Sequence, residues 1–162
     1  MKKYEIEIKW GIIFTFIGLL WIGLERAVGL HDEYIGFHST YTNLFAFIAI
    51  LLYVLALLDK RNHYYKGYIS WKNAFFSGLV LSAIIAILSP LSQLISHKIV
   101  TPHYFENAIN HAVSRKIMSQ QEAESYFSLG NYILQTTFFA FIVGCITAAL
   151  ISIFIRKSPQ AI

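Results

Sequence analysis

Several of the few ionisable residues in this chain stand where ionisable residues are costly. Glu25 and Arg26 close an apolar run that begins at Trp10. Fifteen residues of helix rise about 22 Å, so Glu25 is expected deep in an apolar layer, short of open water. Intramembrane groups of this kind usually face an interior or a cavity. The chemistry on offer is a polar pocket wall or a proton acceptor; the plainer alternative is a helix-end acid bridged to a neighbouring cation. Arg26 lies about 100° further round the helix and can reach outward on its own stem. His31, Asp32, Glu33 and His38 follow, and His103 and Glu106 stand one helical turn apart further on. Imidazole and carboxylate are ligands of zinc and related ions. A metal site needs two to four of them to converge, and no HExxH spacing enforces that here. These six are therefore metal candidates and, equally, scattered interfacial side chains; their placement would also suit pH sensing. The third feature is Ser89-Pro90-Leu91-Ser92-Gln93. Pro90 has no N–H to give the Ala86 carbonyl, which predicts a kink. Ser89, Ser92, Gln93 and Ser96 can satisfy the freed groups. The alternative is a ligand or ion site at the break, with Glu25, Ser89 and Gln93 forming a polar pocket. Gly-rich phosphate loops, a GxSxG elbow and a dinucleotide fingerprint are all missing. Cys145, in an apolar run, reads as a small hydrophobe. No catalytic set and no cofactor can be named from these residues.

The elements that must position these residues are membrane helices. Of 162 residues, 56% are hydrophobic and 14% charged, with mean hydropathy +0.54, where soluble domains carry about 25% charged residues. The same numbers exclude disorder, and one cysteine excludes a disulfide framework. Apolar runs cover about 10–30, 41–58, 71–96 and 131–155, and a bilayer core requires roughly 20 such residues per helix. No ten-residue alternation of a barrel appears. The N-terminal run resembles a signal peptide, but no small-x-small cleavage site follows, so the first helix is expected to stay. Nine of thirteen Lys and Arg residues (among them Lys2, Lys3, Lys9, Lys60, Arg61, Arg156 and Lys157) fall on one side of these runs. The positive-inside rule then places both termini in the cytoplasm. This basic balance reports topology and anionic lipid heads rather than nucleic acid.

The stretch at about 102–128 predicts an outer amphipathic cap. Thr101 can N-cap a helix with Pro102 at its first position, and apolar residues from Phe105 to Ile117 recur at helical spacing. Ser119 and Glu122 form a capping-box pattern ahead of a second short helix. Small and polar stripes mark each span: Gly11, Thr15, Gly18 and Glu25; Thr42, Ala46, Ala49, Tyr53 and Ala56; Gly78, Ser82, Ser89, Gln93 and Ser96; Ala140, Gly144, Ala148 and Ser152. Such stripes let membrane helices approach. The expected fold is all-α, one domain: an integral membrane four-helix bundle with two short amphipathic helices between spans three and four.

Lys9-Trp10-Gly11, Trp21 with Glu25, Gly29-Leu30-His31-Asp32-Glu33, Tyr41-Thr42-Asn43-Leu44-Phe45, Asp59-Lys60-Arg61, Ser89-Pro90-Leu91-Ser92-Gln93 and Thr101-Pro102-His103-Tyr104-Phe105 occur in this order. In this the chain resembles a bacterial family of four-span membrane proteins, the domain of unknown function 4199. The resemblance implies an integral membrane protein and supplies no catalytic residues. The leading expectation is a multipass protein of the bacterial cytoplasmic (inner) membrane, a non-enzymatic accessory or binding component. Its partners would be the lipid bilayer and a membrane protein or further copies of itself. The alternatives are a small oligomeric transporter or channel, and an outer-face metal-binding protein or enzyme.

Overall fold

The computed structural model describes residues 3–158; Lys2, one of the cations counted above, lies outside them. Four of its helical stretches are long and apolar enough to cross a membrane, and the chain is an all-α bundle.

Helix α1, Glu5–Ala27, has two unlike faces. Ile8, Ile12, Phe16, Leu20 and Leu24 are exposed, one turn apart, whereas Glu7, Gly11 and Glu25 are buried. In water that would be inside out; in a bilayer the apolar stripe meets lipid and the polar face turns inward. The helix ends three residues before the expected boundary, because Gly29 at φ +80° turns the chain back.

The second span runs from 35 to 64, beyond the expected 41–58. It is irregular at its start: a 3-10 turn at Ile35–Phe37, a single turn α2 at His38–Tyr41, another 3-10 turn at Thr42–Leu44, then α3 at Phe45–Asp59. The His-Ser-Thr-Tyr-Thr-Asn stretch is poor in strong helix formers, and Asn43 donates back to the Ser39 carbonyl at 2.7 Å. A π-helical turn at Lys60–Tyr64 closes the span.

Helix α4, Trp71–Ile95, is N-capped by Ser70, runs on through Pro90, and continues as a π turn to Val100. Thr101 is buried and donates to the Ser96 carbonyl at 3.1 Å. It therefore closes the third span instead of capping the next helix, and α5 begins later, at Tyr104–Ser114. Helix α6, Gln120–Tyr126, has the full Ser119–Glu122 capping box. Helix α7, Leu129–Ile155, starts at the Ser128 cap.

Helices α1 and α7 pack closely on α4, while α3 is held more loosely. The tight half lies toward the lysine-rich end. There Tyr53, Leu57, Leu81, Ala148 and Ile151 form the buried core. A methyl added at Gly78 would collide with Ala148, and one at Gly144 with Tyr53 and Ser82. The opposite end is where the helices separate.

Candidate metal centre

At the open end, three side chains from three segments meet. Glu25 comes from the last turns of α1, His31 from the turn that follows, and His38 from the start of α2. One ligand atom from each lies within 4.8 Å of the others. His31 Nε2 is 3.4 Å and His38 Nε2 3.7 Å from the same carboxylate oxygen, Glu25 Oε2. A tetrahedral zinc site with arms of about 2.0–2.1 Å has ligand atoms about 3.3 Å apart. The two carboxylate–imidazole spacings approach that edge, and the imidazole nitrogens lie within 4.8 Å of each other.

Charge points the same way. Glu25 and His31 are buried, at 2% and 3% exposure. Among the described residues no Lys or Arg pairs with Glu25: the adjacent Arg26 turns away and donates to the Val100 carbonyl. The other carboxylate oxygen, Oε1, accepts from Trp21 Nε1 at 2.7 Å, and the Thr42 hydroxyl also faces the group. A buried carboxylate lacking a permanent cation is costly. A divalent ion among the two imidazoles would supply the missing charge.

The surroundings orient one histidine better than the other. His38 Nδ1 lies 3.3 Å from the Tyr104 hydroxyl, which in turn is 3.3 Å from the Tyr132 hydroxyl. Burial pushes the Tyr104 hydroxyl far above the usual tyrosine range, so it stays a neutral O–H. The ring of His31 packs edge to face on those of His38 and Tyr104, which are tilted against each other, all at about 5 Å. By contrast, His31 Nδ1 is buried with no partner. Without an ion its proton belongs on Nε2, toward Glu25, since a proton on Nδ1 would be buried unpaired. With Nε2 on a metal, Nδ1 carries the proton and lacks the acceptor that usually supports such a ligand. The set therefore suits a readily exchanged ion.

Two cavities flank the cluster. A cleft of about 440 Å³ under the cap is lined by His38, Thr42, Tyr104, His111 and Tyr132, with Met118 and Phe127 among its apolar walls. A smaller cavity, about 220 Å³, lies inside the bundle and is lined by Trp21, Thr42, Ser89, Ser92 and Gln93. Thr42 belongs to both.

The expected site residues thus divide. His31 and His38 come together, and Glu25 joins them rather than only walling a pocket. Ser89 and Gln93 line the inner cavity, with Gln93 Oε1 3.1 Å from His97 Nε2. Asp32 is engaged elsewhere, accepting from Asn107 Nδ2 at 2.7 Å. Glu33 is exposed. His103 and Glu106 pair with each other at 3.5 Å, both largely exposed. Sequence reasoning missed Tyr104 and Thr42 as partners of the site, since an aromatic and a hydroxyl give no ligand signal. It also missed a second buried carboxylate at the other end. Glu7 accepts from Lys60 at 2.9 and 3.0 Å and from Ser77 at 2.7 Å. The available clue was that Glu7 and Glu25 stand on one face of α1, five helical turns apart.

Residues 9–157 match the family described as Protein of unknown function (DUF4199), and the chain belongs to that family. The chain is also similar to the probable peptidoglycan glycosyltransferase FtsW of Francisella salina, 38% identical over 95 residues, which are 54% of this chain and 22% of that protein. The chain thus spans less than a quarter of that relative's length. No solved structure matches it.

Proposed function

We propose that this family member is a multipass membrane protein built to hold a divalent transition-metal ion of zinc type, with Glu25, His31 and His38 as ligands. The observation that carries this is the convergence of those three ligand atoms, from three segments, around a carboxylate that has no Lys or Arg partner among the described residues. Three protein ligands leave a fourth position open, the pattern of zinc sites that exchange or react. Two imidazoles and a carboxylate also suit iron(II). The distribution of Lys and Arg supports a bacterial cytoplasmic membrane with both termini inside, so that the metal end faces outward. The test is metal analysis of protein purified in mild detergent and loaded with zinc. About one equivalent should bind to the wild type, and Glu25→Gln and His31→Ala should lower the affinity by well over tenfold. Equal binding by wild type and variants would end this reading.

A second reading is an accessory component of cell-envelope synthesis. It is favoured by the similarity to a probable peptidoglycan glycosyltransferase. Co-purification of such an enzyme with the tagged chain, lost when the cap 104–126 is replaced, would support it. A continuous transport path is disfavoured in a single chain, because Gly78 and Gly144 close the lysine-rich half against Ala148, Tyr53 and Ser82.

A further inference from the structure

The inner cavity holds polar groups that the metal reading does not use. Ser89 and Ser92, both half-buried, line it, and among the described residues neither hydroxyl has a hydrogen-bond partner. Pro90, between them, cannot donate to the Ala86 carbonyl. The Gln93 amide also lines the space, its oxygen facing His97. A hydroxyl that faces a space in an apolar layer and lacks a protein partner is best satisfied by water, which a cavity of sufficient size with several polar groups in its wall can hold. At about 220 Å³, this one has room for several waters. Its lining contains hydroxyl, amide and indole groups and no charged side chain. Below it, the close contacts of Gly78 and Gly144 seal the bundle.

We propose that this cavity is a water-filled, dead-end chamber that binds small uncharged hydrogen-bonding molecules and excludes ions. It goes beyond the metal reading and stands whether or not Glu25 holds an ion. Ser89, Ser92 and Gln93 supply donors and acceptors in one plane of α4, and Phe14 and Phe45 supply an apolar wall. A neutral molecule carrying hydroxyl or amide groups meets both needs. A free ion would lose its hydration without gaining a counter-charge.

The test uses single cysteines in a Cys145→Ala background: Ser89→Cys and Ser92→Cys in the chamber, and Ile87→Cys on the outer face, where Ile87 is 76% exposed. Each is treated in detergent with three methanethiosulfonate reagents of similar size, bearing a hydroxyethyl, a trimethylammonium-ethyl or a sulfonatoethyl group. The neutral reagent should modify both serine-site cysteines, at a rate at least about tenfold above either charged reagent. It should also outpace its own reaction at Ile87→Cys, whose thiol lacks water to ionise. Adding Gly18→Leu should fill the space and suppress the modification. Two results would overturn the proposal: no reaction at Ser89→Cys and Ser92→Cys in protein that is monodisperse and fully reactive once denatured, or equal rates for neutral and charged reagents. The first means a dry cavity and the second an ion-admitting path. Metal content plays no part in either readout.

Discussion

Helix α1 carries two buried glutamates on one face, about 27 Å apart, and they are solved in opposite ways. Glu7 sits between Lys60 and Ser77, each less than 5% exposed. The Lys60 ammonium also donates to the Lys3 carbonyl and lies 4.1 Å from the centre of the Tyr64 ring. Every charge there has a permanent partner, and the helices around it touch. Glu25 meets two histidines, an indole and a hydroxyl. Its neighbours can bind or release an ion, and cavities lie on two sides of it. One carboxylate is a latch that fastens the span ends; the other, on the proposed reading, is a ligand. Burial alone does not separate them; the fixed cation does.

The contrast can be broken by substitution, and the largest effect belongs to the latch. Lys60→Met leaves Glu7 buried without its cation and should cost about 3–5 kcal/mol, read as a fall in the unfolding midpoint in detergent. Glu7→Gln added to it should restore much of the loss. Glu25→Gln should leave the midpoint nearly unchanged while abolishing zinc binding. A large midpoint fall for Glu25→Gln would make it a second latch.

Packing follows the same divide. Gly78→Ala forces a methyl onto Ala148 and should destabilise by about 1–3 kcal/mol. Gly23→Ala, with open space at its Cβ, should be neutral or stabilising by up to about 1 kcal/mol. Equal effects would mean that the two ends are packed alike. A smaller effect is expected from Tyr104→Phe, which removes the hydroxyl beside His38 Nδ1 and keeps the ring. Zinc affinity should drop about tenfold, with the unfolding midpoint unmoved.

The smallest effect lies in the cap. Ser119 holds the Glu122 carboxyl below its ordinary value by donating from its N–H and hydroxyl. A depressed folded value means this contribution is complete above the ordinary glutamate range of about 4.3 and is lost as pH falls through the depressed value. Amide exchange in α6 should be steady on that account from neutral pH to about pH 5 and faster in strong acid. Glu122→Gln should remove the pH dependence.

Most of the architecture could be read from the sequence because a bilayer leaves few choices. Runs of about 20 apolar residues must be helices, and the Ser119–Glu122 box is a local signal that depends on no distant contact. Boundaries were less legible where tertiary contacts compete. Thr101 carries an N-cap side chain, yet its hydroxyl is taken by Ser96. The start of the second span hides in the mixed residues from Ile35 to Thr40, which hydrophobicity alone leaves outside the run. The candidate site was half legible. His31 and His38 are ligand types near Glu25 in sequence, but the turn at Gly29 decides that they fold back onto it. Asp32 and Glu33 share the segment and point elsewhere. Lys60 counts in the sequence only as one of the cations beyond the apolar runs; its burial against Glu7, 53 residues away, leaves no local trace.

Whether Glu25, His31 and His38 hold zinc is decided by zinc K-edge X-ray absorption on the purified, zinc-loaded wild type. The expected result is about one zinc per chain with two imidazole nitrogens and carboxylate or water oxygen at about 2.0–2.1 Å, reduced to a single imidazole in His38→Ala. A spectrum without imidazole scattering, or one unchanged by His38→Ala, would contradict it.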